Sequence, residues 1–121
     1  MRQTEINLDA GDVVLLDFPG AEKTKRRPAL ILSSRVYHRE RPDIILGLIT
    51  TQTNSATSPT DYRLQDWAHA RLARPSAFRS FLVTLPRTAV KRRVGKLSSR
   101  DWGVVVETLQ LALGLRHPQT S

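Results

Sequence analysis

From residue 13 to residue 97 the apolar side chains come in short runs cut by turn chemistry, and only after Ser98 does their spacing lengthen to that of a helix. That order excludes alternating βαβ units and predicts several strands followed by one helix. Val13-Val14-Leu15-Leu16-Asp17-Phe18 lies between the turn signals Gly11-Asp12 and Pro19-Gly20 and reads as a strand buried on both faces. Pro28 to Ser33 and Ile44 to Thr50 read as two more, the latter opened by Arg41-Pro42-Asp43. Asp61 to Leu64 predicts a short strand, Ala77 to Leu85 a bent or divided one, and Val90 to Leu97 another, with Gly95 marking a bend or bulge. Residues 20–27 read as a charged loop, and residues 51–59 as a polar, mobile one.

Ser98-Ser99-Arg100-Asp101 has the form of a capping box with Asp in place of Glu. Trp102, Val105, Val106, Leu109, Ala112 and Leu113 then recur at helical spacing, and Gly114 suits the C-cap. The spacing predicts a helix from about residue 99 to 114, its stripe buried and led by Trp102. The expected class is mainly β (α+β), a single domain over residues 1–121, long enough to bury a core without staples.

The chain has no cysteine, which excludes a disulfide framework, a thiolate zinc site and a cysteine nucleophile, and fits a reducing compartment. No apolar run approaches the ~18 residues of a membrane span, and no apolar core follows Met1 to Glu5, so a soluble, cytoplasmic protein with no membrane partner is expected. His38, His69 and His117 lack ligand spacing, there is no glycine-rich phosphate loop, and no GxSxG elbow occurs. No metal or other cofactor is expected.

Charge is the informative remainder. Nineteen Lys and Arg against eleven Asp and Glu give +8, and fifteen of the cations are Arg. Such a surface points to nucleic acid or an acidic protein as partner. Lys23, Lys25, Arg26 and Arg27 share one segment, with Arg35, Arg39 and Arg41 soon after. Arg87, Lys91, Arg92, Arg93, Lys96 and Arg100 form a second group without an acid. Either group can follow a phosphate backbone, and either can be a plain solvated face. Arg27 precedes Pro28, which restrains its backbone. Thr50 would lie beside it if the second and third strands pair, and an arginine with a hydroxyl suits phosphodiester chemistry.

Gly11-Asp12-Val13-Val14, Arg27-Pro28-Ala29-Leu30-Ile31-Leu32-Ser33 and Leu48-Ile49-Thr50-Thr51-Gln52 closely resemble the MazF/PemK toxins of bacterial type II toxin–antitoxin systems. The likeness continues through Arg74-Pro75-Ser76-Ala77-Phe78-Arg79 and Gly95-Lys96-Leu97-Ser98 into the final helix. It implies a small SH3-like, bent β-barrel with a C-terminal helix, assembled as a homodimer. It further implies a metal-independent endoribonuclease that cuts single-stranded RNA, often mRNA, leaving a 2′,3′-cyclic phosphate and a 5′-hydroxyl. An acidic antitoxin is the implied protein partner.

The resemblance places the family's catalytic arginine on Arg27, its catalytic threonine on Thr50, and its acidic residue, a candidate general base, on Glu22. It places the second catalytic arginine of the PemK branch, an aid to phosphate binding or proton delivery, on Arg79. Lys23, Lys25, Arg26, Gln52, Thr53 and Asn54 are the expected RNA contacts, in one groove with Arg79. The PemK branch has an aspartate where Phe81 stands and a histidine where Ala21 stands, so its acid–base set is incomplete here. A CcdB-like toxin that binds gyrase, or an inactive homologue that binds RNA or antitoxin, is the alternative.

Overall fold

The computed structural model describes residues 7–18 and 25–116. They form β1 (Asp12–Phe18), β2 (Lys25–Ile31), α1 (Arg35–Glu40), β3 (Asp43–Thr50), β4 (Asp61–Arg63), β5 (Ala77–Pro86), β6 (Val90–Lys96) and α2 (Ser99–Ala112). All the strands belong to one antiparallel sheet in the order β4-β5-β3-β2-β1-β6.

The sheet is bent by irregular pairing. Gly47 pairs with Leu82 but Leu48 pairs with Arg79, so Ser80 and Phe81 are extra residues in β5. Along β1, Val13 pairs with Gly95 and Val14 with Arg93, which places a bulge at the expected Gly95. A Cβ on Gly95 would stand 2.3 Å from the Ala70 carbonyl oxygen, so only glycine lets the two backbones approach. Such bulges increase local twist and curl the sheet. The bent, mainly β architecture with a C-terminal helix is as expected, but among the described residues the sheet does not close into a barrel, since the three-residue β4 pairs with β5 alone and β6 with β1 alone.

Alternation sends two apolar sets to opposite faces. Val14, Leu16, Phe18, Ala29, Ile31, Ile44 and Leu46 form one core, joined by Leu8 and Val90. Val13, Leu30, Ile49 and Phe78 form the other with Val105 of α2. Among the described residues no helix is long and apolar enough to cross a membrane.

Three expectations need correction. Lys25, Arg26 and Arg27 are strand rather than loop, because Asp17 stands opposite Arg26 and accepts from its Nε at 3.0 Å. At Pro28 the strand pairs with β1 only, since the β3 ladder begins at Ala29, and one-sided pairing tolerates a missing N–H. Residues 35–40 form a helix too short to leave a periodic signal. Ser34 caps it by accepting from the Tyr37 amide at 3.3 Å, and Arg87 closes its other end by donating to the His38 and Arg41 carbonyls.

The third concerns α2. Its start is as expected, with Ser98 Oγ accepting from the Asp101 amide at 3.1 Å. Asp101 does not complete a capping box, however; its fully buried carboxylate turns inward to the Tyr62 hydroxyl and the Gln65 and Asp66 amides. The stripe is buried only at Val105, while Trp102, Val106 and Leu109 are half-buried and Ala112 and Leu113 exposed. Gly114, at φ +73°, ends the helix as its spacing predicted. The Leu115 amide donates to Gln110 and the Gly114 amide to Leu111, a Schellman closure.

Candidate functional site

The site lies where the β2–β3 ladder stops. Ala29 pairs with Leu48, and continuing that register would set Arg27 opposite Thr50. The last observed pair is nevertheless Ala29–Leu48, and beyond it the strands part. A cleft of about 270 Å³ opens, with Lys25, Arg26, Arg27 and Pro28 on one wall and Ile49, Thr50, Thr51 and Gln52 on the other. Arg27 and Thr50 therefore face one space with room between them for a ligand.

Thr50 is oriented locally. Its Oγ1 accepts the Gln52 amide at 3.1 Å, which leaves the hydroxyl hydrogen to donate elsewhere. Among the described residues, none of the ion pairs involves Arg27 or Lys25. A planar guanidinium so placed can donate two parallel N–H bonds to an anion in the cleft. Thr53 and Asn54, expected as RNA contacts, fall in a short 3-10 turn at Thr53–Ser55 and do not line this cleft. Glu22 and Lys23 lie outside the described residues, as does His117.

Arg79 occupies a second cleft, of about 410 Å³, at β4 and the bulged part of β5. Leu48, Ser58, Thr60, Asp61, Ser80 and Phe81 line it with Arg79. Its Nε stands 3.6 Å from Asp61 Oδ1, too long for a good hydrogen bond. The Asp61 side chain is only 5% exposed. Among the described residues, its Oδ2 is the one buried side-chain polar atom without a hydrogen-bond partner. Strand alternation puts Arg27, Thr50, Arg79 and Asp61 on the same face of the sheet, through the pairs Leu48–Arg79 and Asp61–Arg79. Asp61 and Phe81 are the residues that sequence reasoning missed, because their placement depends on the β5 bulge.

Much of the charge elsewhere is bonded within the fold. Arg93 and Lys96 both reach the buried Asp12 Oδ1 at 3.4 Å, and Arg100 holds Asp66 at 2.6 Å. Arg35 pairs with Asp9 and Arg41 with Asp43. Hydrogen bonds from these arginines hold the acids below the ordinary carboxylate range: Arg100, then Ser98, for Asp66; Arg35 for Asp9; Arg26 for Asp17. Of the six cations grouped near the C-terminal end, Arg87, Arg93, Lys96 and Arg100 thus have partners inside the molecule. His38 is also structural. Its Nδ1–H donates to the Leu8 carbonyl at 3.0 Å, so Nε2 accepts from Ser33 Oγ at 2.7 Å, and Ser33 accepts the Ile45 amide. Ser33 is buried, so this serine–histidine pair does not face a substrate.

Comparison with curated protein sequences finds no match. Among solved structures, an endoribonuclease from a mycobacterial species superposes with a TM-score of 0.75 at 20% identity, over 96% of this chain and 100% of that one. A mycobacterial endoribonuclease in complex with its cognate antitoxin gives 0.74 at 20% identity, over 93% and 100%. MazF from Deinococcus radiodurans gives 0.72 at 22% identity, over 91% and 99%. At such identities the likeness establishes the fold. The sequence model of the PemK-like, MazF-like toxins of type II toxin–antitoxin systems matches residues 9–113, a span that holds all six strands, both helices and both clefts, and the chain belongs to that family.

Proposed function

We propose that the protein is an endoribonuclease toxin that cleaves single-stranded RNA, mRNA above all, by a metal-independent attack of the substrate's own 2′-hydroxyl on the adjacent phosphorus. The observation that carries this reading is that Arg27 and Thr50 line one cleft, on opposite walls, where β2 and β3 part. The 2′-oxygen bonds to phosphorus as its proton leaves, the bond to the 5′-oxygen breaks, and that oxygen takes up a proton. The products are a 2′,3′-cyclic phosphate and a 5′-hydroxyl. Arg27 stabilises the negative charge that grows on the phosphorane, and Thr50 donates its remaining hydrogen to a nonbridging oxygen. Glu22, outside the described residues, is the base we assign to the 2′-hydroxyl by family resemblance. Arg79 contacts a flanking nucleotide from the neighbouring cleft. Lys23, Lys25, Arg26 and Gln52 would hold the backbone, with Thr53 and Asn54 further along the strand.

We extend the family's assembly to this chain as a homodimer in the cytoplasm, inhibited by an acidic antitoxin. One of the superposed structures is an endoribonuclease bound to its cognate antitoxin, and a +8 surface with Lys25 and Arg27 at a cleft suits an acidic, partly disordered segment. The test is purified protein with a long RNA in EDTA, followed by mapping of fragment ends. Cyclic phosphate and 5′-hydroxyl ends are expected. Intact RNA, a requirement for added Mg²⁺, or 3′-hydroxyl ends would refute the proposal.

A further inference from the structure

We infer that the cleft between β4 and β5 is a nucleobase pocket selective for guanine, with Asp61 and Arg79 reading the base edge and Phe81 stacking on its face. The inference rests on the reading of the protein as an RNA-cleaving enzyme and adds what it recognises.

Distance decides the role of Asp61. It stands in register with Leu48 across β5, two strands away from Thr50 and two residues along. With strands ~4.8 Å apart and a rise of ~3.3 Å per residue, the Thr50 and Asp61 backbones lie roughly 12 Å apart. A carboxylate that far away cannot take a proton from a 2′-hydroxyl whose phosphate rests on Thr50. The separation suits one nucleotide, reaching from its phosphate across the sugar to the far edge of its base.

The cleft's chemistry then selects the base. An ionised carboxylate only accepts, and a guanidinium only donates. Among the described residues, Asp61 Oδ2 is buried without a partner and Oδ1 has the 3.6 Å contact to Arg79, whose guanidinium lies beside them. A base that turns the Asp61 side chain on binding brings the buried Oδ2 to the cleft beside Oδ1, and the wall then presents acceptor, acceptor, donor. The Watson–Crick edge of guanine presents the complement: the N2 amino group and N1–H as donors, then O6 as acceptor. Cytosine would set its N3 lone pair against the carboxylate, uracil offers one donor between two acceptors, and adenine offers one donor beside an acceptor. Single-stranded RNA is read in this way, by edge bonds together with stacking on aromatic rings. Phe81 supplies the ring. It is 51% exposed at the cleft, and its centroid lies 5.9 Å from that of the buried Phe18, which braces it.

The test is binding of short 2′-O-methyl RNAs, which cannot be cleaved, measured by fluorescence anisotropy. Wild-type protein should hold UGU more tightly than UAU or UCU by on the order of tenfold to a hundredfold, the worth of a bidentate base contact. Replacing guanine by inosine, which lacks the N2 amino group, should lose part of that preference and needs no variant. Asp61→Asn should level UGU and UAU, with its melting temperature measured in parallel. Phe81→Ala, at an exposed position, should weaken all the trinucleotides. The pocket assignment is overturned if wild type binds UGU no better than UAU, or if Asp61→Asn keeps the preference. If guanine is preferred while long RNA stays intact, the pocket stands and the cleavage proposal falls. If RNA is cut and guanine is not preferred, the reverse holds.

Discussion

Asp101→Ala is the substitution we expect to damage the fold most, and its effect can be worked out from three bonds. The carboxylate is fully buried and accepts from the Tyr62 hydroxyl at 2.6 Å, the Gln65 amide at 3.0 Å and the Asp66 amide at 2.8 Å. Together these tie residues 62–66 to the first turn of α2. Each buried donor left without a partner costs about 1–3 kcal/mol, with bonds to charged acceptors in the upper part of that range. Tyr62 is only half-buried, so water can replace part of its bond. A loss of about 3–5 kcal/mol follows for the set, against a total stability on the order of 5–15 kcal/mol. For a chain of this size the melting temperature should fall by roughly 10–25 °C. Trp102 neighbours Asp101 and Trp67 follows Asp66, so fluorescence-monitored thermal and urea unfolding reports the change directly. Tyr62→Phe should cost less in the Asp101→Ala background than alone, since its acceptor has already gone. Asp101→Ala within about 1 kcal/mol of wild type, or Tyr62→Phe costing the same in both backgrounds, would refute the reasoning.

Arg27→Ala should lower cleavage on the order of 10²–10³-fold with an unchanged melting temperature, because its head group faces the cleft; end-labelled RNA under single turnover measures this, and a change below tenfold would remove Arg27 from the chemistry. Gly95→Ala should destabilise by about 1–3 kcal/mol, since the new Cβ meets the backbone at Ala70, and urea titration would show it. Acid should act through Asp9, Asp17 and Asp66, whose values lie below the ordinary 3.8 when folded. The unfolded chain then binds more protons than the native one, so this stability is whole above 3.8 and drains as pH falls through the lowered native values. A melting temperature that stays level from neutrality down to about pH 5 and drops below about pH 4 is expected. At the alkaline end, burial and then the bond to Asp101 raise Tyr62 well above its ordinary 10, so its contribution is full below pH 10 and is lost above it.

What could be read from the sequence was the part governed by neighbours along the chain. Val13 to Phe18 and Ile44 to Thr50 are continuous apolar runs, and the stripe from Trp102 to Leu109 has helical period, so each announces its element. Gly95 and Gly114 were legible because close approach and a positive φ leave little choice of residue. The misreadings lie where partners come from elsewhere in the chain. Lys25-Arg26-Arg27 looks like loop until Asp17 is set opposite, and Asp101 looks like a capping residue until Tyr62 reaches it from 39 positions away. Arg27 and Thr50 were singled out through expected strand pairing and family resemblance, and the structure sets both on one cleft. Asp61, first residue of a three-residue strand, carries no local mark.

Both clefts arise from departures from regular pairing, and the second departure also shapes the first cleft. If the register that joins Gly47 to Leu82 ran on unbroken, Leu48 would face Phe81 and Thr50 would face Arg79. Ser80 and Phe81 intervene, and the pairing slips by two residues, so every side chain keeps its face but changes its neighbour. Arg79 moves away from Thr50 to stand between Leu48 and Asp61, where its charge helps offset the burial of that carboxylate. Ala77 takes its place opposite Thr50, and a single methyl group leaves the space that a guanidinium would have filled. Arg27 then lines one cleft with Thr50, and among the described residues no ion pair engages it. One two-residue insertion in β5 thus sets Arg79 and Arg27 in separate clefts, the first proposed for recognition and the second for the reaction.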